Sequence, residues 1–295
     1  MYTASMKKWF CFLLLVTNAL YAAPPQVVVS IKPIFDVTVA VMDGVGTPSL
    51  LVPSGASPHS YALAPSQAKS LYQADLVIWV GPNLETFLSQ PLSRLKKGST
   101  LLTLTDMPGM TLYPVQNSHD HDHGPIDPHL WLSIPNLVDY ARELEKTLRA
   151  LDPDNASLYQ ANTNKTIEHL TALDVSLKQQ LKPVQQVPIM VFHDAYQYFS
   201  KHYDLNVVGT IVLRPDTMPS VSRVLEIQQT LKSQKVQCIF SEPQFKPAIV
   251  ERLVGDTGIN SGTLDPLGEQ HPIGLPGIEV LFNHLAHNIV SCIHK

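Results

Sequence analysis

Residues 152–181 read DPDNASLYQANTNKTIEHLTALDVSLKQQL. Asp152-Pro153 starts a helical stretch that runs nearly unbroken to Leu181, because proline is tolerated in a first helical turn. About 28 helical residues at 1.5 Å rise reach about 40 Å. A helix of that length can span a molecule and join two lobes. Upstream, short apolar strands alternate with helices. Val27 to Ile31 reads as a strand, Ile34 to Met42 as an apolar helix, and Leu50 to Val52 as a short strand ending near His59. Ser66 reads as the N-cap of a helix to about Gln73. Leu76 to Val80 is a buried strand by its continuous apolar run, Asn83 to Leu95 reads as helical, and Thr100 to Leu104 as the next strand. Residues 107–128 are rich in Pro, Gly, Asp and His and read as an irregular loop. A helix from Pro135 to about Leu151 follows.

Beyond the long helix the alternation resumes. Strands are expected at Pro188 to Phe192, Asn206 to Val212, Val236 to Phe240 and just before Leu264. Helices are expected at Ala195 to His202, Ser220 to Ser233, Lys246 to Val254 and Gly277 to Ile293. This pattern predicts an α/β protein. Two similar lobes with mainly parallel sheets, 24–152 and 183–295, are joined by one long rigid connecting helix at 153–182. No residue-level repeat relates the lobes.

The 295 residues suffice for one large or two medium domains with sizeable cores. With 44% hydrophobic and 16% charged residues, the composition is that of an ordinary globular protein, and a net charge of -4 gives no electrostatic basis for nucleic-acid binding. The 24 prolines exceed the usual share of about 5% and fall largely at loop positions, which suggests rigid connections. Residues 1–23 read as a cleaved export signal. Lys7 and Lys8 precede the short apolar run Trp9 to Val16, and Ala22-Ala23 stands before Pro24-Pro25. The alternative is a buried N-terminal helix; the apolar run is well short of the roughly 20 residues a membrane span needs. Cys11 lacks the small residues of a lipoprotein site before it and leaves with the signal. Cys238 and Cys292 then remain, the simplest disulfide count in an oxidising compartment, with two unpaired buried thiols as the alternative.

Three histidines sit in contexts suited to aiming an imidazole at a shared point. His59 lies in Pro53-Ser54-Gly55-Ala56-Ser57-Pro58-His59-Ser60-Tyr61, His129 in Asp127-Pro128-His129-Leu130-Trp131-Leu132, and His193 in Ile189-Met190-Val191-Phe192-His193-Asp194. Any one alone reads as a satisfied polar or surface group; the set does not. Ligands in open α/β sheets bind at the carboxyl ends of strands. His59 and His193 fit that placement, and Asp265, in Gly262-Thr263-Leu264-Asp265-Pro266-Leu267-Gly268, is a fourth candidate. With two candidates from each lobe, a metal would sit at the lobe interface. Three imidazoles and at most one carboxylate favour zinc over manganese, which prefers more oxygen ligands, although copper and nickel also suit imidazole. The tract His119-Asp120-His121-Asp122-His123 is either a second, weaker metal site or a solvated loop. Asp194 is either an orienting partner or a helix N-cap. His284 and His287 read as a wet helix face, and His202 as a helix-end residue.

Together these pieces resemble the periplasmic zinc-binding proteins of bacterial ABC importers, the ZnuA type of metal-specific solute-binding protein. The matching residues are Gly55-Ala56-Ser57-Pro58-His59 with Tyr61 and Pro65-Ser66; His129-Leu130-Trp131-Leu132; Phe192-His193-Asp194-Ala195-Tyr196 with Tyr198-Phe199; Ser241-Glu242-Pro243-Gln244-Phe245; and the Gly262 to Gly268 segment. The resemblance covers essentially the whole mature chain. It implies two lobes on a long helix and a Zn2+ ion, the transported ligand, held by His59, His129 and His193. Asp265 either ligates as well or stands close while water completes the shell. The resemblance further implies a periplasmic monomer that delivers zinc to the membrane permease of an ABC importer and catalyses nothing. Manganese-type relatives typically carry Glu where His193 stands. Cys238 and Cys292 match positions that form a disulfide in some zinc-binding relatives. The loop between the first two ligands is often long and very His-rich in such relatives; here it holds only His119, His121 and His123. A manganese or iron carrier of the same fold is the rival reading, and a secreted zinc hydrolase a second, although no His-Glu-x-x-His motif is present.

Overall fold

The computed structural model describes residues 23–115, 126–212, 219–245 and 248–295. The export signal expected at 1–23 lies, apart from its last residue, outside the described residues. Each lobe is built on a sheet of short apolar strands. In the N-terminal lobe these are β1 (Val27–Val29), β2 (Ser49–Leu50), β3 (Leu76–Trp79) and β4 (Thr100–Thr103), all parallel, in the order β2-β1-β3-β4. In the C-terminal lobe β5 (Ile189–Val191), β6 (Val207–Thr210), β7 (Cys238–Ser241) and β8 (Asn260–Thr263) are also all parallel, in the order β6-β5-β7-β8. Counted within its lobe, each sheet therefore runs second, first, third, fourth. The two lobes share one topology without sharing a sequence repeat.

Helices α1 (Lys32–Val41), α2 (Pro65–Gln73) and α3 (Ser89–Leu92) connect the first sheet's strands, and α4 (Ile134–Leu151) follows it. The long connector is α5 (Ala156–Leu181), whose 26 residues span about 39 Å. Its buried residues Tyr159, Thr163, Thr166, Leu170, Leu173, Leu177 and Leu181 recur every three or four positions, the spacing of a single apolar stripe. Asp152, itself buried, secures the start of the helix by accepting from Tyr159 Oη at 2.8 Å and Asn155 Nδ2 at 2.9 Å. In the second lobe α6 (Gln197–His202), α7 (Val221–Ser233) and α8 (Ala248–Thr257) join the strands, and α9 (Leu275–Ile293) closes the chain. A disulfide links Cys238, at the start of β7, to Cys292 in α9.

The connector packs on α1, α4 and α9, and one hydrophobic core runs through both lobes, from Val29 and Ile34 through Leu170 and Leu177 to Phe240 and Phe282. Smaller clusters cover the other face of each sheet, around Leu71, Val77 and Leu88 in the first lobe and Ile227, Ile239 and Leu253 in the second. A buried ion pair adds a polar tie between the lobes. Lys32 Nζ lies 2.6 Å from Asp36 Oδ2 and donates to Pro272 O at 2.9 Å, while Asp36 Oδ1 accepts from Gly274 N at 3.1 Å. A continuous core with cross-lobe hydrogen bonds resists wide hinge motion, because opening it would expose close-packed apolar surface.

Two local expectations differ from the structure. The region expected as a helix over Asn83 to Leu95 is broken into a 3-10 turn, Thr86–Leu88, and the single turn α3. Glu85 interrupts it: its carboxylate turns back to accept from Val80 N at 3.1 Å, Gly81 N at 3.0 Å and Ser30 Oγ. Ser66 is not the cap of α2. Pro65 occupies the first turn, Ala64 is the N-cap residue, and the Gln67 side chain accepts from its backbone N–H at 2.9 Å. Among the described residues, no helix is long and apolar enough to cross a membrane.

Candidate metal centre

Three loops bring the imidazoles together. His59 follows β2, in a loop whose path depends on Gly55. There φ is +84°, and a Cβ would meet Glu269 Oε1 at 2.5 Å, so a side chain would be opposed by both backbone and space. Gln67 of α2 ties the same loop down, accepting from Tyr61 Oη at 3.0 Å and donating to Leu51 O. His129 precedes the 3-10 turn Leu130–Leu132 and α4, whose N-cap Ser133 accepts from Asn136 N. Its orientation is set two residues earlier: Asp127 Oδ1 accepts from both the His129 backbone N–H at 3.0 Å and Nδ1 at 2.8 Å. His193 follows β5, and its Nδ1 lies 2.8 Å from Oε1 of Glu242, which follows the neighbouring strand β7. Asp127, His129, His193 and Glu242 are all buried.

These partners decide the tautomers. A carboxylate accepts only, so Nδ1 of His129 and of His193 each carries a proton, and Nε2 of the neutral ring presents a lone pair. The two Nε2 atoms nevertheless face each other at 3.3 Å, and His129 Nε2 lies 3.3 Å from His59 Nε2. Two such lone pairs repel unless a proton or a metal cation lies between them, and the third ring nitrogen at the same distance suits a metal. Zinc–nitrogen bonds of about 2.0–2.1 Å in a tetrahedron place neighbouring nitrogens about 3.3–3.4 Å apart, which matches both separations. Among the described residues, these three histidines form the one group of ligand-type side chains spaced to hold a metal. Trp131, Phe245, Pro266 and Leu267 wall a free space of about 10 Å³ beside them, the scale of one water or ion. Trp131 Nε1 closes the wall by donating across the lobes to Pro266 O at 2.8 Å. Burial works against the charged form of His193, but Glu242, then Asp194 and Asp127, outweigh it and hold its pKa above the usual histidine value. The pocket therefore attracts positive charge.

Residues 27–292 match the family model described as zinc-uptake complex component A, periplasmic. The chain belongs to the ZnuA family. It is 35% identical over 306 residues to the high-affinity zinc uptake system protein ZnuA of Brucella suis biovar 1 (strain 1330), covering 91% of this chain and 92% of that one. Among solved structures it is similar to the Zn(II)-bound AdcAII variant of Streptococcus pneumoniae, with 25% identity, a TM-score of 0.77 and coverage of 90% and 99%. It also shares its fold with the SBP FpvC from Pseudomonas aeruginosa in complex with Mn2+, with 21% identity, a TM-score of 0.81 and coverage of 92% and 98%.

Within this ZnuA-family chain, the structure brings His59, His129 and His193 together, and Asp265 stands outside that group. Its carboxylate builds the loop instead, accepting from Leu267 N at 2.9 Å, Glu269 N at 2.6 Å and Gln244 Nε2 at 2.8 Å. Asp194 is not the cap of α6, which starts after Tyr196; its charge acts on His193. His202 ends α6 and pairs with Asp174 at 2.7 Å, while His284 and His287 are exposed on α9. His119, His121 and His123 lie outside the described residues. Sequence reasoning missed the roles of Asp127 and Glu242. The available signals were an acid two residues before His129 and an acid immediately after the apolar strand β7.

Proposed function

We propose that this chain binds Zn2+ between its lobes through His59, His129 and His193 and delivers it to the membrane permease of an ABC importer. It acts as a periplasmic monomer, after loss of a signal at residues 1–23, and catalyses nothing. The lobes are 24–152 and 183–295, with the connecting helix at 153–182. The observation that carries this reading is the 3.3 Å convergence of imidazole Nε2 atoms whose Nδ1 protons are committed to Asp127 and Glu242. An all-nitrogen set suits zinc better than manganese, and the relatives' name, high-affinity zinc uptake, supports the same ion. Asp265 shapes the pocket wall, which leaves a further coordination position for water. The shared core favours release by small lobe shifts rather than by a wide hinge.

Calorimetric titration of the metal-stripped mature protein with zinc and manganese, alongside His59→Ala, tests the proposal. One tight zinc site, manganese much weaker, and zinc affinity reduced roughly a thousandfold, ~4 kcal/mol, in His59→Ala are expected. Near-equal manganese affinity would favour the manganese-carrier reading. Zinc affinity untouched by the substitution would overturn the site.

A further inference from the structure

The segments that lead to and from residues 116–125 are held by the opposite lobe. Gln197, the first residue of α6 and buried, donates from Nε2 to Pro114 O at 3.1 Å and to Asp127 Oδ2 at 3.2 Å. Its Oε1 accepts from Lys201 Nζ at 2.7 Å, one turn along the helix. Lys201 itself sits 4.0 Å over the Tyr113 ring, where a cation is attracted to the aromatic face. The next residue, Tyr198, donates from its hydroxyl to Asp127 O at 2.8 Å and accepts from Tyr113 N at 3.1 Å.

The chemistry of these groups settles which way the Gln197 amide points. An ammonium has donors and no acceptor, so only Oε1 can face Lys201. The NH2 group is thereby directed at two acceptors, a carbonyl and the Asp127 carboxylate. Asp127 uses its other oxygen, Oδ1, for the His129 ring and backbone. A continuous chain of hydrogen bonds thus runs from an exposed lysine to a buried imidazole, Lys201 to Gln197 to Asp127 to His129, and it crosses from one lobe to the other. α6 begins four residues after His193. One short helix therefore anchors His193 through the backbone and His129 through a side chain.

We infer that Gln197 is a positioning residue for the metal site. It holds Asp127 so that the carboxylate accepts the hydrogen bond from Nδ1–H of His129 and the ring presents Nε2 to the ion, and Lys201 sets the direction of its amide. The inference rests on the reading of His129 as a zinc ligand. Hydrogen-bond partners of metal-binding histidines fix ring orientation and raise ligand basicity, and their loss costs about 10–100-fold in affinity. Gln197 acts one bond further out, so an effect at the lower end, about tenfold, is expected for Gln197→Leu. Lys201→Met removes no buried group and is expected to weaken zinc by about two- to threefold.

A double-mutant cycle separates positioning from general packing. Zinc affinity is measured by chelator competition for the wild type, Gln197→Leu, Lys201→Met, Asp127→Asn and both double variants carrying Asp127→Asn, with metal-free melting temperatures as a check on folding. Positioning requires that both outer losses largely vanish in the Asp127→Asn background, because the partner through which they act is gone. It also requires that one carboxylate-bonded ring N–H signal of the zinc-loaded protein, that of His129, shifts in the NMR spectrum of Gln197→Leu while that of His193 stays. Losses that simply add, or two unshifted signals, would overturn the inference. A wild type that binds no zinc would instead overturn the functional reading beneath it.

Discussion

At the N-terminal lobe's carboxyl edge, the central strands β1 and β3 lead into Ser30 and Glu85. At the equivalent edge of the C-terminal lobe, β5 and β7 lead into His193 and Glu242. Both edges lie where the strand order reverses, the place at which open α/β sheets form a crevice, and both hold a buried carboxylate facing the residue that follows the first strand. Glu85 is occupied entirely by its own lobe, taking Ser30 Oγ and the backbone N–H groups of Val80 and Gly81. Burial, only partly offset by these donors, pushes its pKa up to about 7. Glu242 accepts a hydrogen bond from Nδ1–H of His193, and an imidazole has a second nitrogen to offer. A hydroxyl ends its hydrogen-bond chain inside the protein, whereas an imidazole passes it on to the cleft. One topology thus yields a structural crevice in one lobe and a ligand-bearing crevice in the other.

The largest effect that probes this comparison concerns stability. The C-terminal lobe carries the Cys238–Cys292 disulfide, which closes a chain separation of 54 residues. Its replacement by two serines is expected to cost up to about 4 kcal/mol on the chain-entropy relation. Zinc affinity should be unchanged, because the bond lies at the opposite end of β7 from Glu242. Denaturant unfolding should still show one transition, since the core is shared. Separate melting of the C-terminal lobe would break the picture of two lobes on one core.

Glu85 offers a sharper test through pH. Its folded pKa is raised from 4.5 to about 7, so the native state binds the extra proton. The stability it contributes is fully present below about pH 4.5 and is lost as pH rises towards about 7, an effect of about 3 kcal/mol. Unfolding free energies of the wild type relative to Glu85→Gln should therefore shift in the wild type's favour as pH falls through that window. A difference independent of pH would remove the contrast drawn for the first crevice. The smallest effect separates the two carboxylates by function. Glu242→Gln is expected to weaken zinc binding by about 10–100-fold, roughly 1.4–2.7 kcal/mol, while Glu85→Gln leaves the affinity as it was. Equal losses in chelator competition would mean that the two edges are not specialised.

The same contrast marks where sequence reading succeeds. The connector α5 was legible because Asp152-Pro153 starts a stretch that no proline or glycine interrupts before Leu181, and the strands because each is a short apolar run between loops. The helix expected over Asn83 to Leu95 failed at Glu85, whose carboxylate is drawn to Ser30, 55 positions away. No local propensity encodes that pull. His59, His129 and His193 were legible from the sequence around them. Asp265, equally conspicuous in its motif, bonds to its own loop, since backbone N–H groups two and four residues on lie within reach.

By itself the sequence determined most element types, the parallel α/β architecture and the long connector, and it singled out the three histidines, because periodicity and turn chemistry act over a few residues. Only the tertiary structure decided which nitrogen His193 presents and what holds the carboxylate behind His129. Glu242 does the first, and Gln197, through Asp127, the second. Glu242 and Gln197 stand 49 and 70 positions from the groups they bond. A hydrogen bond depends on position to within tenths of an ångström; the pairing of β5 with β7 supplies it for Glu242, and the docking of the two lobes supplies it for Gln197.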